Sequence, residues 1–192
     1  MTTGPTRRDP EKKKEIRPSD PIWRVGDTYI TSIGQGDLGI TPLQLAMSAA
    51  AIANGGTLWK PRVARAVIDG DKNPVKEFLP EPLAEGIASR ESFQVVREGM
   101  RQAVTQGSAT ALSSLPFAVA GKTGTAQTGV YGRNHGWFVG FAPYQNPELV
   151  IAVLVEDGSG GSTDAVPIAK ETLYNYFAEG GNLQLTPLEQ PL

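Results

Sequence analysis

The stretch AVAGKTGTAQTG, Ala118–Gly129, sets Lys122 among Thr123, Thr125, Gly121 and Gly124 directly after an apolar run. A Lys-Thr-Gly triplet can hold a phosphate, hold a carboxylate or turn a corner, and its flanks decide between these. A phosphate-binding loop needs a glycine five residues before Gly121 and a helix starting at the triplet. That position is Pro116, and the GTAQTG that follows has no helical pattern. Nucleotide binding is therefore set aside. Gly34-Gln35-Gly36 is weaker still as a dinucleotide signal, lacking a clear preceding strand and a third glycine. On an exposed strand edge the triplet makes chemical sense. Lys122 offers a cation, Thr123 and Thr125 offer hydroxyls, and Gly124 lets another extended backbone approach. Such an edge can bind a peptide by strand addition and fix its terminal carboxylate through charge-assisted hydrogen bonds. Taken alone, the triplet is better read as a solvent-facing lysine beside turn glycines.

Outward from the triplet, the pattern predicts three strands: Phe117 to about Gln127, Trp137 to Ala142, and Leu149 to Glu156. The third, LVIAVLVED, is a continuous Val-rich run, read as a strand covered on both faces. Short connections make the strands antiparallel neighbours. Upstream, Thr41, Pro42 and Asn54-Gly55-Gly56 bracket a helix from Pro42 to about Ala53, Ala-rich and closely packed. LWKPRVARAVID and VKEFL flank the turn-rich GDKNP and suggest a peripheral hairpin interrupted by Pro61. Phe93, Val96, Met100 and Val104 recur at helical steps between a cap near Ser89 and a stop at Gly107. A last helix presents Ala169, Leu173, Tyr176 and Phe177 before Gly180 and packs on the sheet. Residues 1–22 read as a charged, Pro-rich arm or loop, and 181–192 as a tail.

Composition narrows the function. A net charge of −2 and a pI near 5.5 give no electrostatic footprint for nucleic acid. With no cysteine and the single His135, thiol catalysis and His- or Cys-rich metal sites are excluded, and no metal or cofactor is expected. No window approaches the ~18 apolar residues of a membrane span, and the charged start lacks the apolar core of a secretion signal. His135, placed in the loop before Trp137 without an acid partner, reads as structural or solvent-facing. DGSGGS, before the last helix, reads as a strand-to-helix turn rather than an anion nest.

GKTGTAQ ahead of HGWFVGFAP and an apolar strand, with SIGQGDLGITPLQLA and IANGG upstream, resembles the C-terminal half of the transpeptidase domain of penicillin-binding proteins, most closely the class B, penicillin-binding protein 2 type of cell-wall elongation. WRVGDTYITSIGQG and VEDGSGGSTDAVPIAKETLYNYF extend the resemblance from about Trp23 to Phe177, and residues 23–180 are read as that portion of the domain. The resemblance implies an α/β fold of the α+β type, with an antiparallel sheet flanked by helices, as in part of the penicillin-binding-protein and serine β-lactamase fold. It implies a serine of Ser-x-x-Lys that attacks D-Ala-D-Ala to give an acyl-enzyme, and a Ser-x-Asn motif that assists proton transfer. Lys122, Thr123, Gly124 and Thr125 would bind the peptidoglycan stem peptide or a β-lactam, Lys122 tuning the field and the two hydroxyls holding the carboxylate. The Thr125 N–H would be an oxyanion-hole donor. The parent protein would act outside the cytoplasmic membrane, anchored to it.

The sequence departs from that pattern in one respect. None of its ten serines is followed by Lys three residues on or by Asn two residues on. Tyr144-Gln145-Asn146 imitates the second motif but falls in a proline-flanked turn, and Gln35 and Asp37 are placed beside the missing one. Three readings follow. The chain is the C-terminal portion of a longer transpeptidase, a non-enzymatic peptide- or carboxylate-binding module, or a half-domain complementing a separate N-terminal chain. In each it is inactive alone as an acyltransferase, because acyl transfer through serine needs the serine.

Overall fold

The computed structural model describes residues 25–36, 38–128 and 132–178. The arm expected over 1–22, the tail over 181–192, Asp37 and Gly180 lie outside the described residues. The elements are α1 (Val25–Ser32), α2 (Pro42–Asn54), β1 (Leu58–Trp59), β2 (Ala66–Ile68), β3 (Pro74–Glu77), β4 (Pro82–Ala84), α3 (Arg90–Thr105), a 3-10 turn (Thr110–Ser114), β5 (Ala120–Gln127), β6 (Asn134–Ala142), β7 (Leu149–Gly158), a π turn (Gly161–Ala165) and α4 (Val166–Ala178). Among the described residues no helix is long and apolar enough to cross a membrane.

Helix boundaries follow local chemistry. At the start of α2 the Thr41 hydroxyl accepts from the Gln44 N–H at 3.2 Å while Gln44 Oε1 accepts from the Thr41 N–H at 2.9 Å. With Pro42 in the first turn, this reciprocal cap fixes where the helix begins. Gly55, at φ 85°, takes the left-handed stop that a side chain would resist. The buried residues of α2 are Ala49, Ala51 and Ala53, small enough for close packing on the sheet.

Strands β5, β6 and β7 form an antiparallel sheet in that order. One face carries Val119, Phe138 and Ala142 against Val104, Leu112, Leu115 and the α4 residues Val166, Ala169 and Leu173. The other carries Ala120 and Phe141 against Ala53 and Met100. β7 has a helix against each face, as its continuous apolar run suggests: Ile151, Val153 and Val155 pack on the α4 side and Val150 on the α2 side. Leu149–Val155 are nevertheless only half-buried, because among the described residues nothing pairs along the outer edge of β7. One expectation is corrected here. Val96 does not join the buried stripe of α3; it is 44% exposed and borders a groove beside Met100.

The hairpin forms as β2–β3 and stays at the periphery. Its turn is closed by Asp69, whose carboxylate accepts from the Asn73 and Asp71 N–H groups at 2.9 and 3.0 Å. These bonds, the one from the Asn73 backbone foremost, hold the Asp69 carboxyl below its ordinary value. A lowered carboxyl stabilises the turn above the ordinary value and loses that contribution as pH falls through the lowered one. The Asn73 amide is therefore expected to exchange faster in acid, once the base-catalysed chemistry of exchange is divided out, and Asp69→Asn should flatten that dependence. The part of the segment before Pro61 does not enter the hairpin. β1 pairs with β4 instead, since proline interrupts the run and Lys60 bonds to Glu81 at 2.8 Å.

Arg97 ties α3 to the rest. Its guanidinium donates to the Ala53 carbonyl and, at 2.7 Å, to the Tyr144 carbonyl, and it lies over the Phe141 and Tyr144 rings at 5.2 and 5.4 Å. Hydrogen bonds to a charged group plus ring contacts imply that Arg97→Ala costs about 2–3 kcal/mol. The amides of α3 should then exchange roughly 30- to 150-fold faster.

Candidate functional site

Among the described residues β5 pairs with β6 on one side only, with Lys122 opposite Val139, Thr123 opposite Phe138, Gly124 opposite Trp137 and Thr125 opposite Gly136. On its other side the Thr123 carbonyl accepts from Lys122 Nζ at 2.5 Å, and the Thr125 carbonyl accepts from Gln35 Nε2 at 3.2 Å. Both carbonyls thus point off the sheet. In an extended strand the N–H of a residue points the same way as its C=O, so the Thr125 N–H also faces the open edge.

Alternation divides the side chains between faces. Lys122 and Gly124 lie toward α2 and α3, Thr123 and Thr125 toward α4. The exposed Lys122 stem lines an apolar groove of about 340 Å³ with Leu45, Ile52, Val96, Met100 and Val139. Thr123 is 9% exposed, and its hydroxyl shares a 2.5 Å hydrogen bond with the Ser108 hydroxyl. Thr125 is exposed, and its Oγ1 accepts from the Gly161 N–H at 3.3 Å. The close backbone approach anticipated at Gly124 comes from within the chain. A Cβ on Gly161 would meet the Trp137 carbonyl and the backbone of Gly124, so Gly161 packs directly on the strand that carries the triplet.

The neighbouring candidates fall as follows. His135 is not in a loop: β6 begins at Asn134, and His135 stands opposite Ala126 at a register shift, its Nδ1 accepting from the Asp157 N–H at 3.3 Å. The strand extends further than the Trp137 alternation suggested because β5 supplies a partner as far as Gln127. In DGSGGS the donors an anion would need are taken: Asp164 Oδ2 accepts from the Ser159 and Gly160 N–H groups at 2.5 and 2.9 Å. Tyr144, first residue of the imitation motif, donates its N–H to the Ala118 carbonyl at 2.8 Å and stacks on Phe141, away from the open edge. A larger cleft of about 680 Å³, lined by Asn54, Arg90, Gln94, Arg97, Asn146 and Glu148 among others, contains none of the triplet. The residues that the sequence did not single out for the site are Ser108, Gly161 and Asp164, each tied to a threonine only through the fold. Gln35 was anticipated near a motif, not on Thr125.

The model of the penicillin binding protein transpeptidase domain matches residues 8–174. The peptidoglycan D,D-transpeptidase MrdA of Haemophilus influenzae is 32% identical over 189 residues, covering 88% of this chain and 28% of the relative. The protein of the same name from Acinetobacter baumannii is 36% identical over 183 residues, covering 88% and 26%. Among solved structures, Pseudomonas aeruginosa PBP2 in complex with WCK 5153 is 35% identical at a TM-score of 0.70, covering 88% of this chain and 38% of that one. The imipenem acyl-enzyme complex of penicillin-binding protein A from M. tuberculosis is 30% identical at a TM-score of 0.71, covering 82% and 35%. The chain thus spans between about a quarter and two fifths of the length of these proteins. With its antiparallel sheet, flanking helices and this match over most of its residues, the chain belongs to the penicillin-binding protein transpeptidase domain family.

Proposed function

We propose that the chain supplies the Lys-Thr-Gly wall of a peptidoglycan D,D-transpeptidase active site, as the C-terminal portion of a domain whose serine lies outside these 192 residues. The observation that carries this reading is the open edge of β5, where the Thr125 N–H, two outward carbonyls and Lys122 converge. A stem peptide ending in D-Ala-D-Ala lies along that edge as an added strand. The Thr125 hydroxyl donates to its terminal carboxylate. When Ser108 takes the donor's part in the hydroxyl pair it forms with Thr123, the Thr123 proton is also free for that carboxylate. The Thr125 N–H and the N–H of the nucleophile stabilise the negative oxygen that forms when the serine attacks the penultimate carbonyl. D-Ala leaves, the acyl-enzyme is taken up by an amine of a second stem peptide, and a β-lactam enters by the same attack without a departing alanine. The reaction belongs on the outer side of the cytoplasmic membrane, where that substrate is.

The remainder of the domain covers what is left open here: the groove bordered by Val96, Leu45 and Ile52, and the outer edge of β7. A chain with such uncovered apolar surface is expected to aggregate or to melt without cooperativity by itself. A sharp two-state transition in a soluble monomer would favour the binding-module reading instead.

Joined to its serine-bearing part, the Lys122→Ala variant should lose about 10²- to 10³-fold in the rate of acylation by benzylpenicillin, the size of effect seen when one preorganised electrostatic group is removed. An unchanged rate would sink the assignment of Lys122 to the cleft.

A further inference from the structure

Three features elsewhere in the chain bear on Thr123 and Thr125: Gln35 on the Thr125 carbonyl, Ser108 on the Thr123 hydroxyl, and the turn 158–164 on the Thr125 hydroxyl. The turn carries an inference furthest, because it is built to a single shape. Asp164 Oδ2 gathers the Ser159 and Gly160 N–H groups, and the Asp164 N–H donates back to the Gly160 carbonyl at 3.0 Å. Three glycines fit it to its surroundings. A Cβ on Gly158 would strike Asp164 Oδ2, one on Gly160 would lie 3.1 Å from Thr125 Oγ1, and one on Gly161 would strike the sheet backbone. The next N–H, that of Gly161, is thereby aimed at Thr125 Oγ1.

The direction of that bond has a chemical consequence. Once Thr125 Oγ1 accepts from Gly161, its own proton must point away from Gly161. The hydroxyl is left as a donor, which is the form that greets an anion. We infer that Asp164 is a positioning residue: by seating the 158–161 turn it sets the Thr125 hydroxyl as a donor for the carboxylate of substrate or β-lactam. This rests on the proposed role of Thr125. Asp164 touches no substrate itself; it acts through Gly161 and Thr125.

Two measurements test it. The first is amide exchange in the protein joined to its serine-bearing part. The Ser159, Gly160 and Gly161 amides are expected to be protected in the unaltered protein, to exchange at least about tenfold faster in Asp164→Ala, and to recover in Asp164→Asn, whose amide oxygen still accepts. Protection of Gly161 that is unchanged in Asp164→Ala overturns the inference. The second compares acylation by benzylpenicillin and by its methyl ester, in the protein joined to its serine-bearing part. Asp164→Ala should slow the acid about tenfold while leaving the ester near its original rate, a split in keeping with one misdirected hydrogen bond to a charge. Asp164→Asn should restore the acid. Equal losses for acid and ester, or no loss for either, overturn the inference. Thr125→Ala, run in parallel, separates the two levels. If it leaves the acid-to-ester ratio untouched, the role of Thr125 falls, while the exchange measurement still decides whether Asp164 holds Gly161.

Discussion

Incubated with a fluorescent penicillin and run on a denaturing gel, a polypeptide of these 192 residues is expected to show no covalent band. Acylation requires a hydroxyl whose proton is taken as it attacks, and a free serine hydroxyl is a poor nucleophile without an adjacent base. The serine nearest the open strand in chemical terms is Ser108. Its hydroxyl is engaged with Thr123 at 2.5 Å, on the α4 side of the sheet, with no lysine among its hydrogen-bond partners. Lys122 lies on the opposite face, its ammonium directed to the Thr123 carbonyl. No serine of the chain, Ser108 included, stands three residues before a lysine. Oxyanion donors and binding groups can still accelerate a reaction when a nucleophile is lost, yet they cannot form the acyl bond themselves. The expected difference between this chain and the assembled domain is therefore one of presence against absence. A covalent band on the chain alone, mapped to Ser108 or any other of its serines, would overturn the reading.

The second large effect is expected from Gly161→Ala. Gly161 lies against the sheet so closely that a methyl group there would meet the Trp137 carbonyl, the Gly124 carbonyl and the Gly124 nitrogen together. These are backbone atoms of two paired strands, so no side chain can turn aside to make room. Overpacking of this kind costs about 1–3 kcal/mol, and the upper end applies where only backbone can move. The β5 and β6 amides should exchange roughly 150-fold faster. The same substitution pushes the Gly161 N–H off Thr125 Oγ1, so acylation in the assembled protein should fall as well. Gly26→Ala is the control, since a Cβ at Gly26 meets nothing within 4 Å. If Gly161→Ala exchanges like that control, the close approach of the turn to the triplet strand is not as described.

Much of this was legible in the sequence because it is decided locally. The Thr41-Pro42 start and Gly55 stop of α2, the Ser89 cap of α3 and the three strands around the triplet all rest on signals within a few residues. What was missed depends on partners far along the chain. α1 went unread because the segment buries no residue and so carries no core-facing stripe. The apolar run of β7 announces the helices on its two faces but not its place at the outer edge of the sheet, which depends on which strands pair. Val96 belongs to the helical stripe by spacing but faces a groove that nothing here fills. A two-residue alternation starting at Trp137 gives no hint of pairing as far back as Asn134, so the sequence alone puts His135 in a loop.

The same holds for the candidate site. Lys122, Thr123, Gly124 and Thr125 stand out as a motif, and the resemblance attaches a chemistry to them. Which of their groups point off the sheet was not readable, because it depends on which side β6 occupies. The contacts of Gln35 with Thr125, 90 residues apart, and of Gly161 with Thr125, 36 residues apart, arise only when the chain is folded. Asp164 has no signature at all in one dimension: an acid near the start of a helix is ordinary, and its role becomes visible only through the two amides it gathers.

The most direct measurement is to join or mix this chain with the Ser-x-x-Lys-bearing part of the domain, treat the assembly with benzylpenicillin, and map the adduct by mass spectrometry. An acyl group on a serine beyond these residues, formed quickly with the native sequence and far more slowly once Lys122 or Thr125 is replaced by alanine, is the predicted result. Acylation at the same pace with both replacements, or failure of the two parts to yield any adduct, would contradict the claim that this strand edge is one wall of the reacting cleft.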